Sequence, residues 1–536
     1  MQVPVLIVGA GPAGLCSSIL LSRMGFRSLV IERHPSTSIH PKATGISTRT
    51  MELFRSWGIE ERIREVEMSV LFATSFRDNL SGPELDRRPI GYPAPSEAAS
   101  FSPTYASALA QDFLEPILVD HARGYSGSDV RFSTELVDLE QNADGVRATI
   151  VDRTTGARSE VQSRYLVAAD GASSPIRRRL GIATRGVERI GEYLSILFRA
   201  DLDSMVGAER LALYMLQGLG GPAPSVLVPT GNDGRWLLAT PWRGDMRPLS
   251  TLVLEDLVGI VRRASGRPDL PVDVVDHQLV GIGAEVAERF RDGNVFLVGD
   301  AAHRTAPTGA TGMNTAIQSA HNLMWKLGAV LSGIAGDALL DTYEPERRPS
   351  GERNVQRSLG KLQGVSGVAA DMGVVYSSGA VVAEAESERP AVVEPTAQAC
   401  PGSRAPHLWI DVRGNRMSAL DLFGTNLVLL TGVSGAAWQD AAREVRARLG
   451  IPLGVAAIGG PDVSVTSDEW LSAYGIDPDG AVLVRPDGHI AWRSVSAAAD
   501  AAATLEQVTA RALALDVEER HALVAARAGD AGRRYG

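Results

Sequence analysis

An apolar run of strand length opens the chain and leads directly into a glycine-rich turn. Residues 3–8 are almost entirely aliphatic, and the turn that follows is Gly-Ala-Gly-Pro-Ala-Gly over residues 9–14. Apolar side chains then recur at helical spacing over residues 15–24, until Gly25 interrupts them, and a second apolar run ends at Glu32. The pattern predicts a strand, a tight turn, a helix and a second, parallel strand.

The glycine spacing in this turn is typical of a dinucleotide-binding unit. Gly9 permits the tight turn, Gly11 lets the backbone approach a pyrophosphate, and Gly14 allows the helix to pack closely on the strand. The helix N-terminus offers unpaired N–H groups to the phosphates. Glu32 is placed to accept hydrogen bonds from ribose hydroxyls and would repel a 2′-phosphate, so we expect the ADP half of FAD or NAD rather than NADP.

Two further apolar runs end in aspartate. One ends at Asp170 in an Asp-Gly pair, and the other at Asp300 in a Gly-Asp pair. The short basic segment after the first favours a binding role for Arg177, and a glycine-containing loop after the second leads into a helix predicted over residues 315–331. A second glycine-bearing helix start, far along the chain from the first, indicates a long ligand held at both ends, and FAD has that length.

Between these segments the apolar residues mostly alternate with polar ones, which predicts strands. We expect an antiparallel meander over residues 130–140, 146–152 and 159–167. A separate β-rich unit with one helix is predicted over residues 194–200, 210–217, 224–229, 235–242 and 250–264. Pro345 and Pro349 are expected to end the helical structure that precedes them.

The last part of the chain has its own order of elements. Strands are predicted over residues 427–431 and 454–458, a hairpin over 481–493, and helices over 436–449 and 503–514. This order is thioredoxin-like. The Cys-x-x-Cys pair of that fold is absent from the sequence, so thiol–disulfide chemistry is not expected.

Composition narrows the functional classes. A chain of 536 residues predicts two to four domains, and its net charge of −10 argues against a general nucleic-acid or anionic-membrane binder. The two cysteines, Cys16 and Cys400, provide neither a disulfide framework nor a cysteine-rich metal site, and they fit a reducing cytoplasm. No apolar run reaches membrane-spanning length. We therefore expect a cytoplasmic protein without a metal ion.

Three motifs stand in order along the chain: GAGPAG with the later ER at residues 9–33, DGASSPIRRRLGI at 170–182, and GDAAHRTAPTGATGMNTAI at 299–317. Together they resemble the single-component (group A) FAD-dependent aromatic hydroxylases. The segment 321–349 and the thioredoxin-like tail without Cys-x-x-Cys make the chain similar to the polyketide-tailoring branch, which includes aklavinone and angucycline hydroxylases.

The resemblance implies an α/β fold like that of para-hydroxybenzoate hydroxylase. A Rossmann-like FAD-binding domain, residues 1–180 and 281–395, is interleaved with a β-sheet substrate domain, residues 181–280. Residues 70–105 contribute in part to the substrate region, and residues 396–536 form the thioredoxin-like domain.

The resemblance also implies a set of residues that bind non-covalent FAD. Lys42 stands where many members have arginine, which keeps the charge and loses a bidentate contact. The implied contacts run from the pyrophosphate (Gly9, Gly11, Pro12, Ala13, Gly14) and adenosine (Glu32, Arg33) through the ribityl and phosphate region (Gln111, Asp300) to the nicotinamide side (Asp170) and the isoalloxazine (Pro307, Gly309, Gly312, Met313, Asn314).

The implied reaction is a monooxygenation. NADPH or NADH binds transiently and reduces FAD, and O₂ then forms a flavin C4a-hydroperoxide. One oxygen atom of this peroxide hydroxylates an aromatic polyketide or other polycyclic phenol. Tyr214 and His277 are candidate bases because they fall in the substrate unit. We expect a monomer or homodimer whose partners are an aromatic small molecule, O₂ and NAD(P)H.

Three alternatives remain. The same peroxide could carry out a Baeyer–Villiger reaction or an oxidative rearrangement of a polyketide. A flavin halogenase is a second alternative, although the Trp-x-Trp-x-Ile-Pro signature of that group is absent from the sequence. The third is a non-catalytic flavin- or ligand-binding protein, against which the intact glycines, Asp170 and Asp300 argue.

Overall fold

The computed structural model describes residues 1–206, 209–220, 223–243, 248–308, 310–362, 364–384, 390–465 and 469–534. The strands are β1 (Gln2–Val8), β2 (Ser28–Ile31), β3 (Gly45–Ile46), β4 (Leu71–Arg77), β5 (Asp86–Pro89), β6 (Ser107–Ala108), β7 (Ser128–Arg131), β8 (Thr134–Asn142), β9 (Gly145–Asp152), β10 (Arg158–Ala168), β11 (Thr184–Arg199), β12 (Leu211–Leu216), β13 (Ser225–Pro229), β14 (Arg235–Trp242), β15 (Asp273–Ala287), β16 (Arg291–Asp292), β17 (Val295–Leu297), β18 (His303–Arg304), β19 (Trp409–Val412), β20 (Asn415–Ser418), β21 (Leu427–Thr431), β22 (Leu453–Ala457), β23 (Val463–Val465), β24 (Ala481–Val484) and β25 (Ile490–Ser494).

The α-helices are α1 (Pro12–Arg23), α2 (Thr48–Trp57), α3 (Glu60–Arg64), α4 (Pro95–Ala98), α5 (Gln111–Arg123), α6 (Pro175–Arg179), α7 (Asp203–Val206), α8 (Leu254–Ser265), α9 (Gly312–Leu331), α10 (Tyr343–Ser358), α11 (Gly367–Met372), α12 (Ala436–Leu449), α13 (Glu469–Tyr474), α14 (Ala501–Ala512) and α15 (Val517–Arg534). None of the helices described is long and apolar enough to cross a bilayer.

The first sheet has a parallel centre. Strands β17, β10, β1, β2 and β7 lie side by side in that order, and the register places Val8 beside both Ile31 and Ala168. Helices α1, α5 and α9 pack with one another and share one hydrophobic core with these strands, whose apolar side chains are buried. Parallel strands end at one edge of a sheet, so Gly9, Glu32 and Asp170 follow neighbouring strand ends.

The predicted meander is confirmed. Strand β10 pairs antiparallel with β9, which pairs antiparallel with β8, while the far end of β10 joins the parallel centre. The strand therefore links the two parts of the first sheet.

The second sheet is antiparallel over most of its width, with the order β18-β15-β11-β14-β13-β12-β4-β5. Along β11, Leu194, Ile196 and Phe198 face one side, where they pack with Leu257 and Val261 of α8. Residues between them, such as Ser195, face the other side because side chains alternate along a strand. Strand β4 comes from the segment before residue 105, and β15 continues to residue 287.

One helix differs from the sequence-based expectation. Helix α10 continues through Pro349 to Ser358, although proline inside a helix removes a hydrogen bond and clashes with the preceding turn. Burial of one side of the helix, including Glu346 and Arg347, provides the tertiary packing that keeps it helical. The expectation that Pro345 and Pro349 end the helical structure is therefore wrong.

The C-terminal unit is thioredoxin-like. Its main sheet has the order β22-β21-β24-β25, with β21 and β22 parallel and the last two strands antiparallel. The predicted hairpin joins β24 to β25 through residues 485–489 and reaches the first domain at Asp487. Helix α15, which lies after the predicted last helix, was not expected from the sequence.

Candidate active site

The first glycine turn is fixed by close backbone packing. Gly9 has φ of +107°, and a Cβ there would lie 2.2 Å from the carbonyl oxygen of Ala169. A Cβ at Gly14 would lie 1.9 Å from the carbonyl oxygen of Gly9. A Cβ at Gly11 would meet no atom within 4 Å, and no side chain caps the N-terminus of α1. Two glycines therefore close the turn, and the third leaves a space in front of uncapped N–H groups.

The second helix start lies beside the first. A Cβ on Gly299 would lie 3.2 Å from the Cβ of Ala13 in α1 and 3.3 Å from that of Ala316 in α9. Helix α9 also begins without a side-chain cap, at Thr311. Two helix N-termini thus converge on one region at the strand ends of the first sheet, and both favour bound anionic groups or oxygen acceptors.

Glu32 lies beside the first glycine turn and stabilises it through hydrogen bonds to the backbone. One carboxylate oxygen accepts a hydrogen bond from the N–H of Ala10 at 3.0 Å, and the other accepts from the N–H of His34 at 2.9 Å. The remaining lone pairs of the carboxylate are available for further donors. Arg33, next to it, is exposed.

A group of charged and polar side chains lies between the two helix starts. Gln111 begins α5 and donates to Glu115 at 2.6 Å. Burial raises the pKa of Glu115 and of Asp300, and the positive charge of Lys42 partly opposes both shifts. Asp300 and Lys42 are nevertheless exposed to solvent, because they border an open space rather than a filled core.

Asp170 is held by its own turn. One carboxylate oxygen accepts from the Ser174 hydroxyl at 2.6 Å and the other from the N–H of Ile176 at 3.1 Å. Burial raises the pKa of Asp170, and these hydrogen bonds oppose the shift. Arg177 donates to the carbonyls of Ala301 at 2.9 Å and Ala172 at 3.0 Å. It ties the two aspartate-bearing turns together, so its observed contacts are with the protein backbone.

The loop before α9 brings the remaining predicted residues together. Pro307 is exposed, Gly312 is the first residue of α9, and Met313 is buried. The side-chain nitrogen of Asn314 lies within donating distance of the carbonyls of Gly45 and Ala310 and of the hydroxyl of Tyr92. Its side-chain oxygen accepts from the N–H of Ser47. The Asn314 side chain therefore positions the loop. Gly309 lies outside the described residues.

The second sheet presents an apolar face to this region. One row of paired residues crosses six strands on that face: Phe76, Met215, Val226, Ala239, Ser195 and Gln278. Phe76, Met215, Val226 and Ala239 are half-buried, whereas most of their neighbours along the strands are buried. The alternation shows that this face borders an open space, which we call the cleft.

The two candidate bases lie on the opposite face. Tyr214 pairs with Leu227, and His277 pairs with Ile196, in the row that packs toward α8. The Tyr214 hydroxyl accepts from the N–H of Leu211 at 2.9 Å, and burial raises the pKa of the phenol. Opposing residues share a face of a sheet, so neither side chain points into the cleft. This placement argues against either residue as the base.

Sequence reasoning missed three residues that meet at the border of the cleft. His40 lies within hydrogen-bond distance of Ser195 at 2.8 Å and of Asp276 at 3.1 Å. A second contact joins the same two regions, where Arg235 donates to Asp112 at 2.7 Å. These residues are distant in the sequence and match no motif, so no local signal could have found them.

The comparisons with known families agree with this architecture. Residues 2–358 match the family described as "FAD binding domain", and residues 398–514 match "Aromatic-ring hydroxylase, C-terminal". The residues present fit FAD, because the space at Gly11 and the two uncapped helix starts provide a cradle for a long ligand with a pyrophosphate.

Characterised relatives span the whole chain. Tetracenomycin B2 monooxygenase-dioxygenase of Streptomyces olivaceus is 38% identical, over 96% of this chain and 99% of its own length. Aklavinone 12-hydroxylase of Streptomyces purpurascens is 36% identical, also over 96% and 99%.

A solved structure is similar throughout. Aklavinone-11 hydroxylase in a ternary complex with FAD and aklavinone superposes with a TM-score of 0.86 at 34% identity, covering 96% of this chain and 99% of that one. The family match, the relatives and the shared fold agree with one another. The chain therefore belongs to the FAD-dependent aromatic-ring hydroxylases, a family of flavoprotein monooxygenases.

Proposed function

We propose that this monooxygenase hydroxylates a multi-ring aromatic polyketide phenol bound in the cleft. When bound, FAD supplies the electrons taken from NAD(P)H and the activation of O₂. The observation that carries the proposal is the apolar row of Phe76, Met215, Val226 and Ala239, on the sheet face where Ser195 meets His40 of the first domain. The names of relatives, which include a putative polyketide hydroxylase of Streptomyces halstedii and aklavinone 12-hydroxylase, support this substrate class.

The chain's own contribution is binding, orientation and exclusion of water. A flat polycyclic substrate buries its rings on the apolar sheet face, and this burial removes water from the space beside the helix starts. The N–H groups at the start of α9 stabilise negative charge that develops nearby.

We propose that FAD is held by the residues that the family resemblance implies. The support for this assignment is their gathering at the two helix starts and the strand ends, with Gln111 and Lys42 between them. For Asp170 and Asn314 the support is indirect, since their side chains position the turns that face the cofactor. The proposed set is Gly9, Gly11, Pro12, Ala13, Gly14, Glu32, Arg33, Lys42, Gln111, Asp170, Asp300, Pro307, Gly309, Gly312, Met313 and Asn314.

The substrate proposal is tested with purified, FAD-loaded protein and a panel of polycyclic phenols. NAD(P)H consumption should increase with a multi-ring phenol, and mass spectrometry with ¹⁸O₂ should find one labelled oxygen atom in the product. Single-ring phenols of equal acidity serve as the matched controls. A preference for single-ring phenols would contradict the polyketide assignment, and insertion of oxygen into a ring carbon–carbon bond would favour the Baeyer–Villiger alternative.

The cofactor assignment is tested with two alanine variants of the same turn. Gly11→Ala adds a methyl group to the space proposed for the pyrophosphate, so the FAD dissociation constant should rise by roughly tenfold or more while the apoprotein keeps its stability. Gly14→Ala places a methyl group against the Gly9 carbonyl, so it should destabilise the apoprotein itself. Equal FAD affinity in Gly11→Ala and the unchanged protein would overturn this placement of the pyrophosphate.

A further inference from the structure

His40 joins the first domain to the second sheet. It lies between β2 and β3, and its ring is 5% exposed. Asp276 as a carboxylate can only accept, so Nδ1–H of His40 donates to it at 3.1 Å, and Nε2 accepts from the Ser195 hydroxyl at 2.8 Å. Burial lowers the pKa of His40, against the effect of Asp276, which is consistent with this neutral form.

These three side chains have the hydrogen-bond order of a nucleophilic Ser-His-Asp triad, but the surroundings do not suit acyl transfer. Ser195 is 3% exposed. Its strand β11 is paired on both sides, with β14 and with β15, so the backbone N–H groups around Ser195 serve the sheet rather than an oxyanion. The arrangement therefore holds two parts of the protein together.

The segment that His40 holds contains Lys42. The segment around His40 is fixed at one end where the N–H of Ser38 donates to Glu115 at 2.8 Å, and at the other where the N–H of Gln111 donates to the carbonyl of Ala43 at 2.8 Å. Between these two points, His40 fixes the segment to the second sheet through its contacts with Ser195 and Asp276. In the described part of the chain no carboxylate pairs with the Lys42 ammonium, whose charge acts on Asp300 and Glu115 across the cleft.

We propose that His40 is a positioning residue that binds the second sheet through Ser195 and Asp276 and thereby holds Lys42 toward the FAD phosphates. The inference rests on the proposed contact between Lys42 and FAD. The contact between His40 and Ser195 also connects the sheet proposed to bind substrate with the segment proposed to bind cofactor, because Ser195 belongs to the row that lines the cleft.

The test is a double-mutant cycle on FAD affinity. Apoproteins with Lys42→Ala, with His40→Ala and with both changes are titrated with FAD, and the quenching of flavin fluorescence gives each dissociation constant. Each single change should raise the constant roughly tenfold, and the double variant should stay within about threefold of the weaker single variant. Ser195→Ala, which removes one of the two hydrogen bonds, should give a smaller increase. His121→Gln, a half-buried residue in the last turn of α5, is the control and should leave the constant unchanged.

The possible failures are distinct. Additive effects, with a roughly hundredfold loss in the double variant, would show that His40 does not act through Lys42 and would overturn this inference alone. An unchanged dissociation constant in Lys42→Ala would overturn the assignment of Lys42 to FAD, and the inference with it. If His40→Ala does not fold, His40→Asn replaces it in the cycle, because the amide can still donate to Asp276 and cannot reach Ser195.

Discussion

The first domain makes two interfaces of opposite character. Toward the C-terminal unit it buries charge completely: Glu346, Lys326 and Arg485 have fully buried side chains, and Arg485 donates to both oxygens of Glu346 at 2.6 and 2.8 Å. Toward the second sheet its polar contacts include those of His40 and Asp112, and the central row of that face contains the half-buried apolar residues Phe76, Met215, Val226 and Ala239.

The two interfaces differ in charge and burial because they differ in the space that they leave for a ligand. The C-terminal interface has one cavity of about 20 Å³, lined by Arg49, Tyr376 and His489 among others, and another of about 70 Å³ that includes Trp325, Phe423 and Gly488. Both are far smaller than a ligand pocket of roughly 300 Å³ or more. Glu346, Lys326 and Arg485 therefore keep one another as permanent partners. The cleft is apolar on the side of the second sheet, whereas charged side chains such as Lys42 and Asp300 are exposed on the side of the first domain. This division suits the proposed binding of a cofactor and a substrate between them.

The largest expected effect is the loss of a charge in the C-terminal interface. Glu346→Gln leaves Lys326 and Arg485 buried with less compensating charge, so the free energy of unfolding should fall by roughly 3 to 5 kcal/mol in a urea titration. Glu352→Gln is the matched control on the same helix, because Glu352 is exposed and pairs with Arg348 at the surface. Equal effects of the two changes would remove the contrast between the interfaces.

Acid should weaken the same interface in a defined direction. Burial alone would raise the pKa of Glu346, but the charges of Arg485 and Lys326 outweigh it and hold this pKa well below its usual range. A carboxylate with a depressed folded-state pKa stabilises the protein above its unfolded-state pKa, and the stabilisation is lost as the pH falls. The stability difference between the unchanged protein and Glu346→Gln should therefore be largest near neutral pH and shrink below about pH 4.5. A difference that is constant from pH 7 to pH 3 would contradict the ionic character of this interface.

A smaller effect is expected at the border of the cleft. Arg235→Met leaves the Asp112 carboxylate without its ion pair, and the free energy of unfolding should fall by roughly 1 to 3 kcal/mol. The loss is smaller than at Glu346 because burial already raises the pKa of Asp112, so a proton can neutralise the carboxylate. Arg199→Met, the exposed register partner of Arg235, should change stability by less than about 0.5 kcal/mol. A loss at Arg235 as large as that at Glu346 would make the two interfaces alike.

The smallest effects are expected on the face of the second sheet that packs on α8. Tyr214→Phe removes one hydrogen bond to Leu211 and should lower the free energy of unfolding by about 1 kcal/mol or less. His277→Gln, in the same row, should have less effect still. Neither change should alter kcat, whereas loss of a general base would reduce kcat by roughly 10² to 10⁴. A drop of that size in either variant would contradict their placement away from the cleft.

The parts of the site that were predicted are those with local causes. The turn is only partly a local requirement, because a Cβ at Gly14 would meet the carbonyl of Gly9 within the same turn, whereas a Cβ at Gly9 would meet the carbonyl of the distant Ala169. The spacing of the three glycines nevertheless predicted the turn. The aspartates at 170 and 300 were proposed because each ends an apolar run within a motif, whereas Lys42 was proposed from the family resemblance.

The parts that were missed depend on partners far away in the chain. His40 meets Ser195 and Asp276 because β11 and β15 pair in one register, and a shift by one residue would turn both side chains to the other face. The same register turned Tyr214 and His277 away from the cleft. Helix α10 runs through Pro349 because tertiary burial outweighs local preference.

The sequence by itself determined the strand, glycine turn and helix at the start of the chain, because the spacing of glycines and apolar residues over a few positions specifies this unit. Only the tertiary structure decided which face of the second sheet packs on α8 and which borders the cleft, and which buried charges join the C-terminal unit to the first domain. Strand register and the pairing of buried ions are set by residues hundreds of positions apart, and no short segment carries that information.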